Sequence, residues 1–143
     1  MVGDCTLGRT TVDGNVFVED RGVLTANRAN VRGTVQSDGS LRVRLLRTDL
    51  DGSVQLKNLR DPLQSVIERS RVKGSIQLDD NQSRIVVLDD VVDEDVQAFT
   101  NRGGVAIRTN TIGGDLQCEE NVPAPTGFGN RVGGNKEDQC RNP

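Results

Sequence analysis

A phrase of about eight residues recurs along this chain every 19 to 22 residues. Two clear copies are GSVQLK from Gly52 and GSIQLD from Gly74. Each phrase is anchored by an apolar residue two positions before the glycine column; the anchors are Val12, Val31, Leu50, Val72, Val92, Ile112 and Val132. A fixed period of this length is typical of repeat proteins, in which each repeat packs against its neighbours.

Apolar and polar residues alternate within each repeat, which is the periodicity of a strand rather than of a helix. A second apolar residue follows the first six anchors by four positions, at Val16, Val35, Val54, Ile76, Val96 and Leu116. A β-sandwich would need a turn roughly every eight to twelve residues and would leave the long-range register unexplained. The sequence therefore predicts an all-β, single-stranded parallel β-helix (β-solenoid), right-handed, with about seven coils of about 20 residues.

A column of glycines stands between the two apolar columns, at Gly14, Gly33, Gly52, Gly74, Gly114 and Gly134. We expect the missing Cβ to permit a sharp bend there, and only Glu94 interrupts the column. The predicted organisation is one β-solenoid domain over residues 1–143, with an N-terminal edge coil at 1–10 and regular coils at 11–118. Residues 119–143, polar and containing three of the four prolines, are predicted to cap the C-terminal coil.

The composition argues against several classes of function. The chain has no histidine, so it lacks the usual general base and the commonest metal ligand. Aromatic residues make up only 2% and the net charge is −3, which disfavours nucleic acid as a partner. No window approaches the length of apolar sequence that spans a bilayer, so no membrane insertion is expected. The first residues, MVGDCTLGRT, lack the features of a signal peptide, so an exported form would carry its signal upstream.

Five glutamines directly follow the second apolar column, and they are predicted to face outwards. They are Gln36, Gln55, Gln77, Gln97 and Gln117. Stacked amides can hydrogen-bond along the axis of a solenoid, which would make the column a structural ladder. The same amides could instead present a regular binding surface to a ligand. The sequence favours the ladder and leaves the binding surface as an alternative.

Acidic residues concentrate at positions 89–95, and the repeat places Asp95 in one column with Asp115. Two carboxylates one strand spacing apart could share a Ca²⁺ ion, the one cofactor that the sequence suggests. The same carboxylates could serve a small carbohydrate-active enzyme, although seven plain coils offer no long loops to build a cleft. A solvated charged face beside nearby arginines is the simpler interpretation, since the spacing matches no known calcium loop.

Three cysteines are present, without the close spacing of zinc ligands. Cys118 and Cys140 are separated by 22 residues, slightly more than one coil, so they are expected to lie on adjacent coils and to form a disulfide. Such a bond predicts an oxidising compartment. Cys5 would then be free or paired upstream.

The tail GGDLQCEENVPAPTGFGNRVGGNKEDQC of residues 113–140, together with the interior phrases, resembles a group of uncharacterised exported bacterial proteins with parallel β-helix repeats. This resemblance implies export and a solenoid fold, and it brings no catalytic residues. The charged middle coils and Glu94 depart from the pattern. In repeat style alone, the chain also resembles bactofilins, which are polymer-forming β-helical cytoskeletal proteins.

These observations predict a non-enzymatic secreted or cell-surface module, structural or binding, whose flat faces contact a glycan or a cell-surface protein. The first alternative is a solenoid that self-associates end to end into filaments. The second is the carbohydrate-active enzyme or Ca²⁺-binding module built on residues 89–95 and Asp115.

Overall fold

Each of the first six coils contributes one strand to each of three parallel sheets, which makes the cross-section three-sided, and the last coil adds a strand to the second and third sheets. A computed structural model describes residues 3–142. Residues 1 and 2 of the predicted edge coil, and residue 143 of the predicted cap, lie outside the described residues. The described residues form a parallel β-solenoid of about seven coils and contain no helix, as the repeat predicts. Among them no helix is therefore long and apolar enough to cross a membrane. The winding hand stays a prediction.

The first and third sheets hold the longer strands, and the second sheet holds two-residue strands. The first sheet contains Asp4–Gly8, Val23–Asn27, Arg42–Leu46, Ser65–Glu68, Ile85–Leu88 and Val105–Arg108. The second contains Thr11–Val12, Asn30–Val31, Asp49–Leu50, Arg71–Val72, Val91–Val92, Thr111–Ile112 and Arg131–Val132. The third contains Val16–Val18, Val35–Asp38, Val54–Lys57, Ile76–Asp79, Val96–Phe99, Leu116–Glu119 and Lys136–Asp138.

The predicted inner columns are buried except at the ends of the solenoid, where Val12 and Val132 are only partly buried. Pairing aligns Val54, Ile76 and Val96 directly above one another, and each is 0% exposed. β-branched side chains suit this position because they pack well on a pleated surface. The pair Ile85 and Val87 on the first sheet is equally buried, so three thin layers of aliphatic side chains fill the triangle.

The chain bends at the glycine column, as the sequence predicts, and close stacking of the coils gives a second reason for glycine. The backbone at Gly52 is not in the left-handed region, but a Cβ there would collide with the side chain of Thr34 and come within 2.6 Å of Gly33 O. Close stacking of successive coils therefore favours glycine in this column, except at Gly14 in the first coil, where φ is 143° and no atom is close. Glu94 occupies this column with its carboxylate 3.2 Å from the Ser75 hydroxyl, which donates a hydrogen bond to it.

Two ladders of buried polar residues line the corners of the solenoid, and the repeat pattern does not predict them. One contains Asn81, Asn101 and Asn121; the other contains Ser70, Asp90, Asn110 and Asn130. In the first, Asn101 Oδ1 accepts hydrogen bonds from the backbone N (3.1 Å) and the side chain Nδ2 (2.9 Å) of Asn81. Asn101 Nδ2 in turn donates to Leu78 O at 2.9 Å. These side chains satisfy backbone groups that the turns leave without partners.

The predicted disulfide joins Cys118 to Cys140, whose Cα atoms are 5.3 Å apart. It links the last two coils, and a loop of this length stabilises the fold by about 3 kcal/mol in the chain-entropy account. The predicted cap segment winds as a last coil, because Thr126 pairs with Ala106 on the first sheet and Lys136–Asp138 joins the third. Cys5 is a free thiol, partly buried at the edge of the core.

Candidate functional site

The five predicted glutamines lie in register on the outer face of the third sheet. The Nε2 of one amide donates to the Oε1 of the next coil from Gln36 to Gln55 (2.6 Å), from Gln77 to Gln97 (3.3 Å) and from Gln97 to Gln117 (2.7 Å). Gln117 continues this chain to the carboxylate of Glu137 at 3.4 Å. The ladder interpretation therefore holds for most of the column.

The ladder is broken between Gln55 and Gln77. No hydrogen bond joins these two amides in the described part of the chain, although their backbones are paired. The direction of the other bonds shows what the break leaves open: the Nε2 donor of Gln55 and the Oε1 acceptor of Gln77. Neither atom is among the buried groups without a partner in the described structure, so both are accessible to water or to a ligand.

An open groove of about 550 Å³ lies over this break. Its floor is formed by outer side chains of the third sheet, Gln36, Gln55 and Gln77, and by Phe17 at one end. Phe17 occupies the position in the first coil that glutamine occupies in the next five, and its side chain is 54% exposed. The sheet thus presents an aromatic ring beside amides that are free to hydrogen-bond.

One wall of the groove is charged, and it contains more acidic than basic side chains. Asp38, Lys57 and Asp79 are stacked in register at the ends of three successive strands. Asp38 accepts a hydrogen bond from Asn58 Nδ2 at 2.7 Å, whereas Asp79 Oδ1 is buried without a partner in the described structure. Partial burial, together with the charge of Asp80, raises the pKa of Asp79, and Lys57 opposes the shift.

Sequence reasoning found the amides of this groove but not Phe17 or Asp79. The signal for Phe17 was present, because it stands in the glutamine column of the first repeat, NVFV. Asp79 has no comparable signal, since its neighbours in the column differ from coil to coil.

The proposed metal ligands Asp95 and Asp115 do share a column, as the repeat indicates. Each carboxylate accepts a backbone hydrogen bond from the following coil: Asp95 Oδ1 from Asp115 N, and Asp115 Oδ1 from Asn135 N, both at 2.8 Å. Ser75 Oγ plays the same part towards Asp95 N at 3.2 Å. Within residues 3–142 no group of three or more cysteines and carboxylates is arranged to hold a metal ion. Calcium binding here stays a prediction.

The rest of the acidic stretch is also engaged within the protein. Asp93 forms an exposed ion pair with Arg71 at 3.4 Å, and Thr109 donates a hydrogen bond to Asp89. Asp90 points inwards and is 1% exposed. A glycoside hydrolase needs two carboxyl groups that face the same bound sugar. The contacts of these carboxylates do not favour the enzymatic alternative, which stays a prediction.

Comparison of the chain with protein-family models, with curated proteins and with solved structures finds no match. The coarse part of the sequence interpretation, a parallel β-solenoid of about seven turns, is what the fold confirms. The resemblances to exported bacterial β-helix proteins and to bactofilins stay predictions.

Proposed function

We propose that this chain is a non-enzymatic binding module for a neutral glycan, which lies in the groove over the third sheet. The observation that carries the proposal is the interrupted glutamine ladder, which leaves a donor on Gln55 and an acceptor on Gln77 beside the exposed ring of Phe17. An open groove with a few convergent polar groups is the usual form of a ligand site.

The chemistry of the groove fits a sugar better than other ligands. A pyranose ring has an apolar face of C–H groups, which packs on the electron-rich face of an aromatic ring, and an edge of hydroxyl groups, which need both donors and acceptors. Phe17 supplies the first, and the amides of Gln55 and Gln77 supply the second. Asp38 and Asp79 accept further hydroxyl donors, and their negative charge disfavours a polyanionic glycan.

A secreted or cell-surface setting agrees with this role. The Cys118–Cys140 disulfide favours a compartment in which thiols are oxidised. The likeness of the 113–140 tail to exported bacterial β-helix proteins supports the same setting.

Calorimetric titration with neutral hexasaccharides tests the proposal. Suitable probes are the β-1,4-linked glucose, β-1,4-linked N-acetylglucosamine and α-1,4-linked glucose hexamers. We expect at least one to bind, and Phe17→Ala or Gln55→Ala to weaken it tenfold or more, which is about 1.4 kcal/mol. The melting temperature should hardly change, because Phe17 is half exposed.

Phe128→Ala is the matched control, since Phe128 is 63% exposed and does not line the groove. It should leave the affinity unchanged. Equal losses in the Phe17 and Phe128 variants, or no binding of any neutral hexamer, would contradict a glycan site in this groove.

End-to-end assembly is a second candidate function. The strands Asp4–Gly8, Thr11–Val12 and Val16–Val18 are edge strands with open backbone groups, and Leu7 and Val12 are only partly buried there. Such open strand edges can pair with those of a second copy of the chain, which favours end-to-end contact.

Electron microscopy at several protein concentrations distinguishes assembly from a monomeric module. Filaments that lengthen with protein concentration are the expected result if the strand edges pair end to end. Monodisperse particles at every concentration would exclude this function.

A further inference from the structure

Four arginines stack at the corner between the first and second sheets. Arg9, Arg28, Arg47 and Arg69 occupy the same position in successive coils, as the backbone bonds from Arg9 N to Asn27 O and from Arg28 N to Leu46 O show. All four side chains are exposed. The spacing of neighbouring coils, about 4.8 Å, therefore sets the spacing of these cations.

The backbone at this corner does not explain the choice of arginine. Each of the four has a positive φ, between 48° and 57°. This left-handed conformation costs an ordinary L-residue about 1 to 2 kcal/mol, and glycine, asparagine and aspartate tolerate it better. The corner after the third sheet has Gly39, Asn58 and Asp80 at left-handed positions, but it also has Arg21, Thr100 and Glu120 there. The left-handed backbone therefore does not select arginine, and the row of guanidinium groups is itself the feature that points to a ligand.

Three of the four guanidinium groups are available for a ligand. Arg69 is next to Asp89, with Nε 4.0 Å from the carboxylate. The side chains of Arg9, Arg28 and Arg47 have no hydrogen bond or ion pair with any residue that the structure describes. They border an open groove of about 620 Å³, which is completed by Thr6, Gly8 and Asn27.

The lining of this groove distinguishes among anions. It contains no acidic side chain and no aromatic ring, so it can attract negative charge but offers no platform on which a base could stack. Guanidinium groups bind carboxylate and sulfate oxygens with two parallel N–H donors. A row of them along the coil axis matches a linear polymer that carries one such group on each monomer.

We propose that Arg9, Arg28 and Arg47 form a binding site for a linear acidic polysaccharide, which runs along the solenoid axis and places one carboxylate or sulfate group on each coil. This site lies at a different corner from the groove that contains Phe17. It carries the opposite charge and is independent of the proposed neutral-glycan function.

The test uses the triple variant Arg9→Asn, Arg28→Asn and Arg47→Asn. Asparagine favours the left-handed backbone, so the fold should be preserved and the melting temperature should not fall. The control is Arg84→Asn, Arg131→Asn and Arg141→Asn, which removes the same charge from exposed positions elsewhere. Titration with polygalacturonate oligomers and with heparin oligomers separates carboxylate from sulfate recognition.

We expect the wild-type chain to bind at least one of these polymers, the corner variant to bind it at least tenfold more weakly, and the control to lose less than threefold. The slope of log affinity against log salt concentration should fall by about two for the corner variant, since each lost contact contributes about 0.7 for a flexible polyanion. Phe17→Ala should leave this binding unchanged, which separates it from the neutral-glycan site.

Two results would overturn the proposal. Equal losses in the corner and control variants would mean that net charge alone attracts the polymer. Single-stranded DNA of equal charge that binds as tightly as the polysaccharide, with the same dependence on the three arginines, would mean that the corner recognises phosphate polymers instead.

Discussion

Replacing Asp90 with asparagine is expected to raise the free energy of unfolding at pH 7 by roughly 2 to 4 kcal/mol. Asp90 is 1% exposed and stands in a ladder whose next two members, Asn110 and Asn130, are asparagines. Its Oδ1 accepts a hydrogen bond from Ser70 N at 2.8 Å, as an asparagine would. Its Oδ2, however, is buried without a partner among the described residues.

The register of the ladder explains why a carboxylate oxygen is unfavourable at the position of Asp90 Oδ2. Asn110 Nδ2 donates to Val87 O and to Asn130 Oδ1, both at 3.0 Å. One coil earlier the equivalent neighbours of Asp90 are Ile67 O and Asn110 Oδ1, which are both acceptors. An ionised Asp90 has no donor to offer them. Burial accordingly raises the pKa of Asp90 to about 8, although backbone hydrogen bonds from Ser70 and Leu88 oppose the shift.

The pH dependence follows from this direction. The pKa is higher in the folded chain than the value of 3.8 expected when unfolded, so folding favours the protonated group. The stability that protonated Asp90 contributes is complete below about pH 4 and is lost as the pH rises to about 8. An asparagine at this position cannot ionise, so the difference between the two proteins should widen over this range.

Urea denaturation at pH 5, 7 and 9 measures the effect directly. The wild-type chain should lose stability relative to Asp90→Asn at each step, and Asp13→Asn, which changes an exposed carboxylate paired with Arg32 at 2.9 Å, should show little difference. If the free energy of unfolding depended on pH in the same way in Asp90→Asn and in the wild type, the raised pKa of Asp90 in the folded chain would be contradicted.

Val92→Asp is expected to unfold the chain, with a loss of more than about 4 kcal/mol. Val92 is 1% exposed and lies in a column between Val72 and Ile112, so aspartate there would bury an unpaired charge in an aliphatic layer. The adjacent residue offers a matched control: Val91 is 41% exposed on the same two-residue strand. Val91→Asp should cost less than about 1 kcal/mol.

Circular dichroism melting of the two variants compares the inner and outer faces of one strand. A large loss for Val92→Asp with a small one for Val91→Asp is the expected pattern. Similar melting temperatures for the two variants would contradict the assignment of the anchor column to the interior.

The architecture could be predicted from the sequence because the repeat consists of residues whose inward or outward orientation depends only on their spacing within the repeat. Val72, Ile76 and Gln77 recur at fixed spacing, and alternation alone decides which of them face inwards. Cys118 and Cys140 could be paired for the same reason, since one period separates adjacent coils. The predicted ladder likewise needed only the register.

The candidate site was less predictable because it depends on departures from the repeat. Phe17 matters where it replaces a glutamine, and the groove forms where the amides of Gln55 and Gln77 fail to meet. The buried ladders were missed for another reason. Asn81 and Asn110 stand at turns, where asparagine is usually exposed, and only the structure shows that these corners turn the side chain inwards.

The disulfide also gives the molecule a mechanical polarity. Each coil pairs only with the coil before and after it, so strands can be removed one coil at a time from either end. At one end Cys118 and Cys140 tie the last coil to its neighbour. At the other end no disulfide between the described residues holds the first strand, Asp4–Gly8; it is attached by pairing with Val23–Asn27 and by the packing of Cys5 and Leu7 on the core. Under tension, or during local opening, the solenoid therefore unzips from its first coil towards its last.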